Sequence, residues 1–356
     1  MTTRCRAGRR GKSRRGGRGR RLLLIGGAIL ALIVAAYVYL QSPFLWSVHL
    51  EPGRIPDPGE ETHRLLVIAP HPDDDILSAG GTMALAIEDG ASVLVVFLTD
   101  GDANQGGKRL ITMSPFHSAR GYRALGSRRQ KEAVLALGRL GVGPESAFFL
   151  NYPDRGLIHL VVENALCDAP YSSRFTKRDA KYSPIAFNPG LSYCGENLLA
   201  DLEEIVCRFR PTTVYVPHPV DTHPDHAAGY YFSVLAIQNV LARDPDAAPE
   251  TVRCYLTHAP QRPWPWPKGI GLGYAFELLP VYIEEDPWES IALPEAVARA
   301  KRAAIRSHIS QWWTSREMLA AFVRQNEIYM VVTVGGLDGV PRWPVVYGDG
   351  PLMSGR

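Results

Sequence analysis

The sequence predicts an α/β domain built on a mainly parallel sheet with helices on both faces, preceded by one transmembrane helix. Three observations carry this. Short apolar runs alternate with segments of helical period through most of residues 64–257, the signature of βα units. An uncharged stretch, Leu22–Leu40, follows a basic tail. The chain of 356 residues is 46% hydrophobic, which excludes both wholesale disorder and a multi-span membrane protein.

The net charge of +3 is unevenly placed. Residues 1–21 hold ten Lys or Arg and no acid, leaving 29 basic against 36 acidic residues, a net −7, in the rest. The basic pI of about 8.5 therefore belongs to the tail, and the acidic body argues against a nucleic-acid partner. The nineteen residues Leu22–Leu40 make a helix of about 28 Å, enough to span a bilayer. The positive-inside rule then leaves residues 1–21 in the cytoplasm and the remainder across the cell membrane. A cleaved signal peptide is the alternative, but the apolar run continues through the small residues Val34-Ala35-Ala36.

Residues 41–63, rich in Pro, Gly and acid, read as a stalk, and 64–356 as one domain. Within it, 64–70 is a buried strand, 76–89 a helix and 92–99 a second strand. A helix over 128–140, closed by Gly141, and a strand over 147–150 follow. Residues around 160–195 lack periodicity and read as an insertion. Beyond it come a helix over 196–209, a strand over 213–216, a helix over 225–242 and a strand over 252–257. No Gly-x-Gly-x-x-Gly follows the first strand, so a dinucleotide fingerprint is absent from its place. No Cys-x-x-Cys occurs. Cys167 and Cys194 bracket a polar segment where an exported domain is expected to form a disulfide.

Two motifs carry the chemistry. The first strand ends in Pro70-His71-Pro72-Asp73-Asp74-Asp75, and the strand at 213–216 is followed by Asp221-Thr222-His223-Pro224-Asp225-His226. Both lie past a strand's carboxyl end, where open α/β sheets place ligands. Such density of acids and imidazoles is costly to bury unless a cation neutralises it. The simplest ligand set is His71, Asp74 and His226, which suits Zn2+ and leaves a position open for water. Fe2+ or another divalent ion accepts the same ligands. Adjacent Asp73 and Asp74 point differently, so one can ligate while the other acts as general base. His223 shares the cavity, and Asp225 can hold one of the two imidazoles in its tautomer.

These motifs, with Thr99-Asp100-Gly101, Arg129-Gln130-Lys131-Glu132 and Tyr152–Gly156, occur in the order found in the PIG-L/LmbE-like zinc-dependent deacetylases, a family this sequence resembles over roughly residues 64–240. The resemblance implies a Rossmann-like fold and removal of an N-acetyl group from an amino sugar by zinc-activated water. It implies zinc on His71, Asp74 and His226, with Asp73 as general base. It further implies that His223 stabilises or protonates the tetrahedral intermediate, oriented by Asp225, and that Arg129 and Asp154 bind sugar. Asp75 departs from the commoner Glu of the pattern.

The expected substrate is an envelope glycan, glycolipid or glucosaminide. The alternatives are an N-deacylase for longer-chain or non-sugar amides, and a non-catalytic, metal-stabilised glycan-binding module. Weaker signals remain. His218 reads as a structural strand-end histidine, Trp312-Trp313 as core, and Trp264-Pro265-Trp266-Pro267 as a sugar-stacking rim or loop packing. Tyr171, Tyr182 and Tyr193 either shape a glycan pocket or belong to an ordered surface insertion.

Overall fold

The computed structural model describes residues 16–40, 48, 50–53, 55, 63–259, 264 and 288–339. The chain divides into two units, Met1–Trp46 and Ser47–Arg356.

The first unit contains helix α1, Gly16–Leu40. Its described side chains, residues 20–35, are exposed. Among the described residues no helix is long and apolar enough to cross a membrane. The anchor expected over 22–40 is therefore not supported, and neither is a membrane partner through it. Most of the expected stalk lies outside the described residues.

In the second unit a seven-stranded sheet has the order β3-β2-β1-β4-β5-β7-β6. The strands are β1 Arg64–Ala69, β2 Ser92–Thr99, β3 Ala147–Tyr152, β4 Thr213–Pro217, β5 Thr251–Tyr255, β6 Trp288–Ala292 and β7 Asn326–Thr333. The first five pair in parallel; β7 runs antiparallel to β5 and to β6. The helices are α2 Asp74–Glu88, α3 Gln105–Thr112, α4 Ala119–Gly138, α5 Leu157–Val161, α6 Gly195–Phe209, α7 Pro224–Arg243, α8 Glu295–Ser307 and α9 Ile309–Ala321.

Alternation along the strands decides the layers. Leu66, Ile68, Leu94, Val96 and Leu98 pack with Leu202 and Ile205 of α6 and Ile237 of α7. Val67, Ala69, Val95 and Phe97 pack on the other face with Ile76 of α2, Leu137 of α4 and Ile305 of α8. The C-terminal elements are clipped on by a buried ion pair. Glu327 accepts from Lys301 Nζ at 2.6 Å and from the Gly81 and Thr82 amides at 2.8 Å.

Several boundaries differ from the sequence reading. Helix α4 starts at Ala119 rather than 128, because Ser118 Oγ caps it by accepting from Gly121 N at 3.1 Å. Helix α3, capped by Asn104, was not expected. The insertion is irregular after α5 and is closed by a Cys167–Cys194 disulfide. Trp312 packs against the core, but Trp313 is exposed. His218 stacks on Trp288 at 5.4 Å as a buried strand-end residue. Pro265–Pro267 lie outside the described residues.

Candidate metal centre

The strand order reverses at β1, which pairs with both β2 and β4. A crevice therefore opens beyond the carboxyl ends of β1 and β4. The two acidic motifs leave these strands and enter helices at once. Asp73 holds the N-cap position of α2 without a side-chain cap bond, and His223 caps α7 with Pro224 in its first turn. Asp74, Asp75 and Asp225 thus lie in first helical turns, where the helix dipole favours negative charge.

The centre is compact. Asp74 Oδ2 stands 3.1 Å from His71 Nδ1 and 3.0 Å from His226 Nε2. His226 Nε2 is buried and has no hydrogen-bond partner despite that short distance. Once His226 gives up the proton on that nitrogen, the two atoms are spaced as ligands of one ion. Atoms about 2.0–2.1 Å from a tetrahedral centre stand about 3.3 Å apart.

The other nitrogen of each imidazole is held by a carboxylate. His71 Nε2 meets Asp225 Oδ2 at 3.2 Å and Asp154 Oδ1 at 3.5 Å. His226 Nδ1 meets Asp221 Oδ2 at 3.0 Å. With these nitrogens donating, His71 Nδ1 and His226 Nε2 keep their lone pairs toward Asp74, the arrangement of a carboxylate–histidine–metal site. His71, Asp74 and His226 thus fit a divalent ion by donor type, spacing and tautomer.

Asp225 is placed differently from expectation. Its carboxylate serves His71 and accepts from the backbone of Arg155 and Leu157 at 2.6 and 3.1 Å. Only its amide meets His223, donating to Nδ1 at 3.2 Å. That bond puts the neutral His223 proton on Nε2. Its ring lies 4.8 Å from that of His71.

The electrostatics follow from crowding. Burial opposes charge on His226, but Asp221 and Asp74 outweigh it and raise the imidazole to about 10. Burial likewise opposes charge on His71, yet Asp154, Asp225 and Asp74 hold it well above its ordinary value. Burial favours neutral Asp74, and His226 and His71 overcome this to keep it well below the carboxylate range. His223 is lowered to about 4 by burial and by the charge of His71. Without a cation, protons on two imidazoles do the neutralising that a metal ion would do.

Asp73 stands apart from the ligand cluster, 3.0 Å from Arg129 Nη2. Burial pushes its carboxyl up to about 6, partly offset by Arg129. Arg129 also donates to Gly101 O at 2.8 Å and Pro72 O at 2.7 Å, so it braces the Asp73 loop as well as lining the cavity. This explains the Thr99-Asp100-Gly101 turn. Thr99 Oγ1 donates to Pro70 O and accepts from Gly101 N. Gly101 has φ +61°, and a Cβ there would sit 1.9 Å from Arg129 Nη1. Asp75 is fully buried. Burial holds its carboxyl well above the usual range, against a pull from the Ile76 amide and with help from Asp73 and Asp74.

A cavity of about 160 Å³ is lined by His71, Asp73, Asp74, Arg129, Asp154 and His223, together with residues the motifs do not contain. Those include Asn104, His258 and, from α9, Gln311, Ser315 and Met318. A larger cavity of about 440 Å³, beside Glu51, Phe187 and Arg208, holds none of the motif residues. Sequence reasoning also passed over Asp221, although it stands in the quoted motif, two residues before His223. The insertion supports the site from behind. Tyr182 OH donates to Asp102 Oδ2 at 2.8 Å, and the Tyr182 and Ser183 amides donate to Asn151 Oδ1. Tyr193 is buried against Tyr152, and Tyr171 stacks on His159. None of the three tyrosines lines the cavity.

Two imidazoles and a carboxylate, oriented by further carboxylates, gather at the switch point of an α/β sheet, a donor set that could hold one divalent ion. Residues 66–237, just under half of the chain, match the family described as PIG-L, GlcNAc-PI de-N-acetylase. The chain is 26% identical over 266 residues to 1D-myo-inositol 2-acetamido-2-deoxy-alpha-D-glucopyranoside deacetylase of Mycobacterium sp. (strain KMS), covering 70% of this chain and 74% of that protein. Its counterpart from Kineococcus radiotolerans is 27% identical over 186 residues, 50% of this chain and 45% of that protein. Among solved structures, N,N'-diacetylchitobiose deacetylase from Pyrococcus horikoshii aligns with a TM-score of 0.49 and 19% identity, over 84% of this chain and 92% of that one.

Proposed function

We propose that this protein hydrolyses the N-acetyl group of an N-acetylated amino sugar, releasing acetate and the free amine, with a divalent ion, Zn2+ first, on His71, Asp74 and His226. The observation that carries the reading is a proton acceptor and a proton donor beside one ligand set. Asp73 is a carboxylate outside the cluster, and His223 has its neutral proton on Nε2. The PIG-L match and the curated deacetylases this chain resembles support the sugar amide as substrate.

A bound zinc ion would supply Lewis-acid polarisation of the amide carbonyl and lower the pKa of water. Asp73 removes a proton from the attacking water as the new C–O bond forms. His223 Nε2–H donates to the carbonyl oxygen as negative charge develops there. The proton held at an Asp73 oxygen passes to the nitrogen as the C–N bond breaks. Arg129 keeps Asp73 in place throughout, and Asp154 and Asp225 hold His71 in one tautomer. Asp73 beside a full ligand set favours this reading over a glycan-binding module.

The test is amine release from a panel of N-acetylglucosaminides, glycolipids and longer N-acyl analogues, with and without chelator. Chelator-sensitive release from acetylated sugars is expected. Release only from longer acyl chains, or binding without release throughout, would overturn it. The same proposal puts the domain outside the cytoplasm, supported by the Cys167–Cys194 disulfide, which suits an oxidising compartment. A C-terminal reporter active only in the cytoplasm would refute that part.

A further inference from the structure

Part of the cavity wall comes from α9 and from Asn104, the N-cap of α3. Helix α9 lies outside the family-matched residues 66–237. Its start is anchored by Glu132, whose carboxylate accepts from Ser310 N and Ser310 Oγ, the latter at 2.6 Å. Two glycines let α3 come close. A Cβ on Gly106 would meet Thr314 Cγ2 at 3.0 Å, and one on Gly107 would meet Ser310 O and Gln311 Nε2 at 3.3 Å. This approach brings Asn104 Nδ2 to Gln311 Oε1 at 2.8 Å.

Both amides border the cavity, and neither is fully used. Asn104 Oδ1 accepts from Gly107 N, and Nδ2 donates one bond. Gln311 is only 4% exposed, and its Nε2 makes one long bond of 3.3 Å, to Ser310 Oγ. An amide carries two N–H donors and two acceptor lone pairs. The pair thus keeps an N–H and a lone pair on each residue. A buried amide left short of partners is costly, and a group that both donates and accepts would complete it. A sugar hydroxyl is such a group; a charged group matches only half of the pair.

We propose that the Asn104–Gln311 pair reads one hydroxyl of the sugar ring, so that Gln311 sets which sugar is accepted. This rests on the amino-sugar reading above. If the pair only staples α3 to α9, its loss weakens the fold without distinguishing one hydroxyl from another.

The experiment uses the full chain incubated with zinc, methyl N-acetyl-β-glucosaminide and its 3-, 4- and 6-deoxy analogues. Binding is read by calorimetry and turnover by amine release. In the unmodified protein one deoxy analogue binds about tenfold more weakly than the parent, the size of one neutral hydrogen bond. In Gln311→Leu the parent weakens about tenfold and that deoxy penalty disappears. Asn104→Ser, which keeps an N-cap on α3, reduces the penalty without removing it. Equal weakening of parent and all analogues in Gln311→Leu overturns the proposal, as does a deoxy penalty that survives the substitution. No amine release with the deoxy coupling intact overturns only the deacetylase reading. Release with no coupling overturns only the clamp, and no binding of any of the four overturns both.

Discussion

Asp221→Asn separates a metal-orienting carboxylate from a turn residue. Asp221 Oδ2 accepts from His226 Nδ1, Thr257 N and His258 N at 3.0, 3.1 and 3.0 Å, and Oδ1 accepts from His223 N at 2.9 Å. An asparagine is isosteric, and it can keep the three bonds on one side by placing its oxygen there. Its NH2 then faces the His223 N–H, leaving a buried donor unmet at about 1–3 kcal/mol. The negative charge behind His226 is also lost. That charge favours a proton on His226 too, but a doubly charged ion gains about twice as much from it, so a net loss of metal affinity remains. Removing such an orienting carboxylate costs about 10–100-fold in affinity, or about 1.4–2.7 kcal/mol. The assay is zinc competition against a chromophoric chelator at pH 7.5, beside thermal unfolding of the metal-free protein. The expected results are that loss and a midpoint lower by several degrees. Zinc affinity within twofold of the unmodified protein refutes the orienting role.

Other expectations follow from the same geometry. Asp73→Asn keeps zinc and loses about 10²–10⁴ in turnover; near-normal turnover would remove Asp73 as the base. Asp73 is raised to about 6 in the cation-free site, and a bound cation moves it down. The acidic limb of the rate profile therefore falls at or below pH 6 and is lost in Asp73→Asn. Gly101→Ala forces Arg129 from its position, so turnover falls while zinc affinity, read by the same competition, stays. His226 is raised to about 10 without metal, so at pH 7 it is protonated and must lose that proton to ligate. Zinc binding at pH 7 releases about one proton or more, measured by calorimetry in buffers of different ionisation enthalpy, and affinity rises with pH. By the same sign, the contribution of His226 to the stability of the metal-free protein is full below about 6.5 and is lost as pH rises through about 10.

Much of the fold was legible because each βα unit declares itself locally. Runs such as Ser92–Thr99 are too apolar to sit anywhere but a doubly covered sheet. The late antiparallel strands were not legible. Trp288–Ala292 mixes polar and apolar residues as an edge strand can, and its partner Asn326–Thr333 is recognisable only when paired. Helix α3 was missed for a similar reason. Its sequence, with two glycines, has little propensity, and the close packing against α9 that calls for those glycines is a long-range contact.

The sequence by itself determined which side chains gather on each side of the crevice. His71, Asp73 and Asp74 lie within four residues after one strand, and His223, Asp225 and His226 lie within four residues before and in one helix. Spacing along the chain places such groups whatever the rest of the fold does. Tertiary structure alone decided their partners: Asp225 with His71, Asp221 with His226, and Arg129 with the loop of Asp73. It also decided that α9 closes the cavity. These are contacts between segments brought together by strand order, and a hydrogen bond depends on angles and tenths of an ångström that no local pattern records.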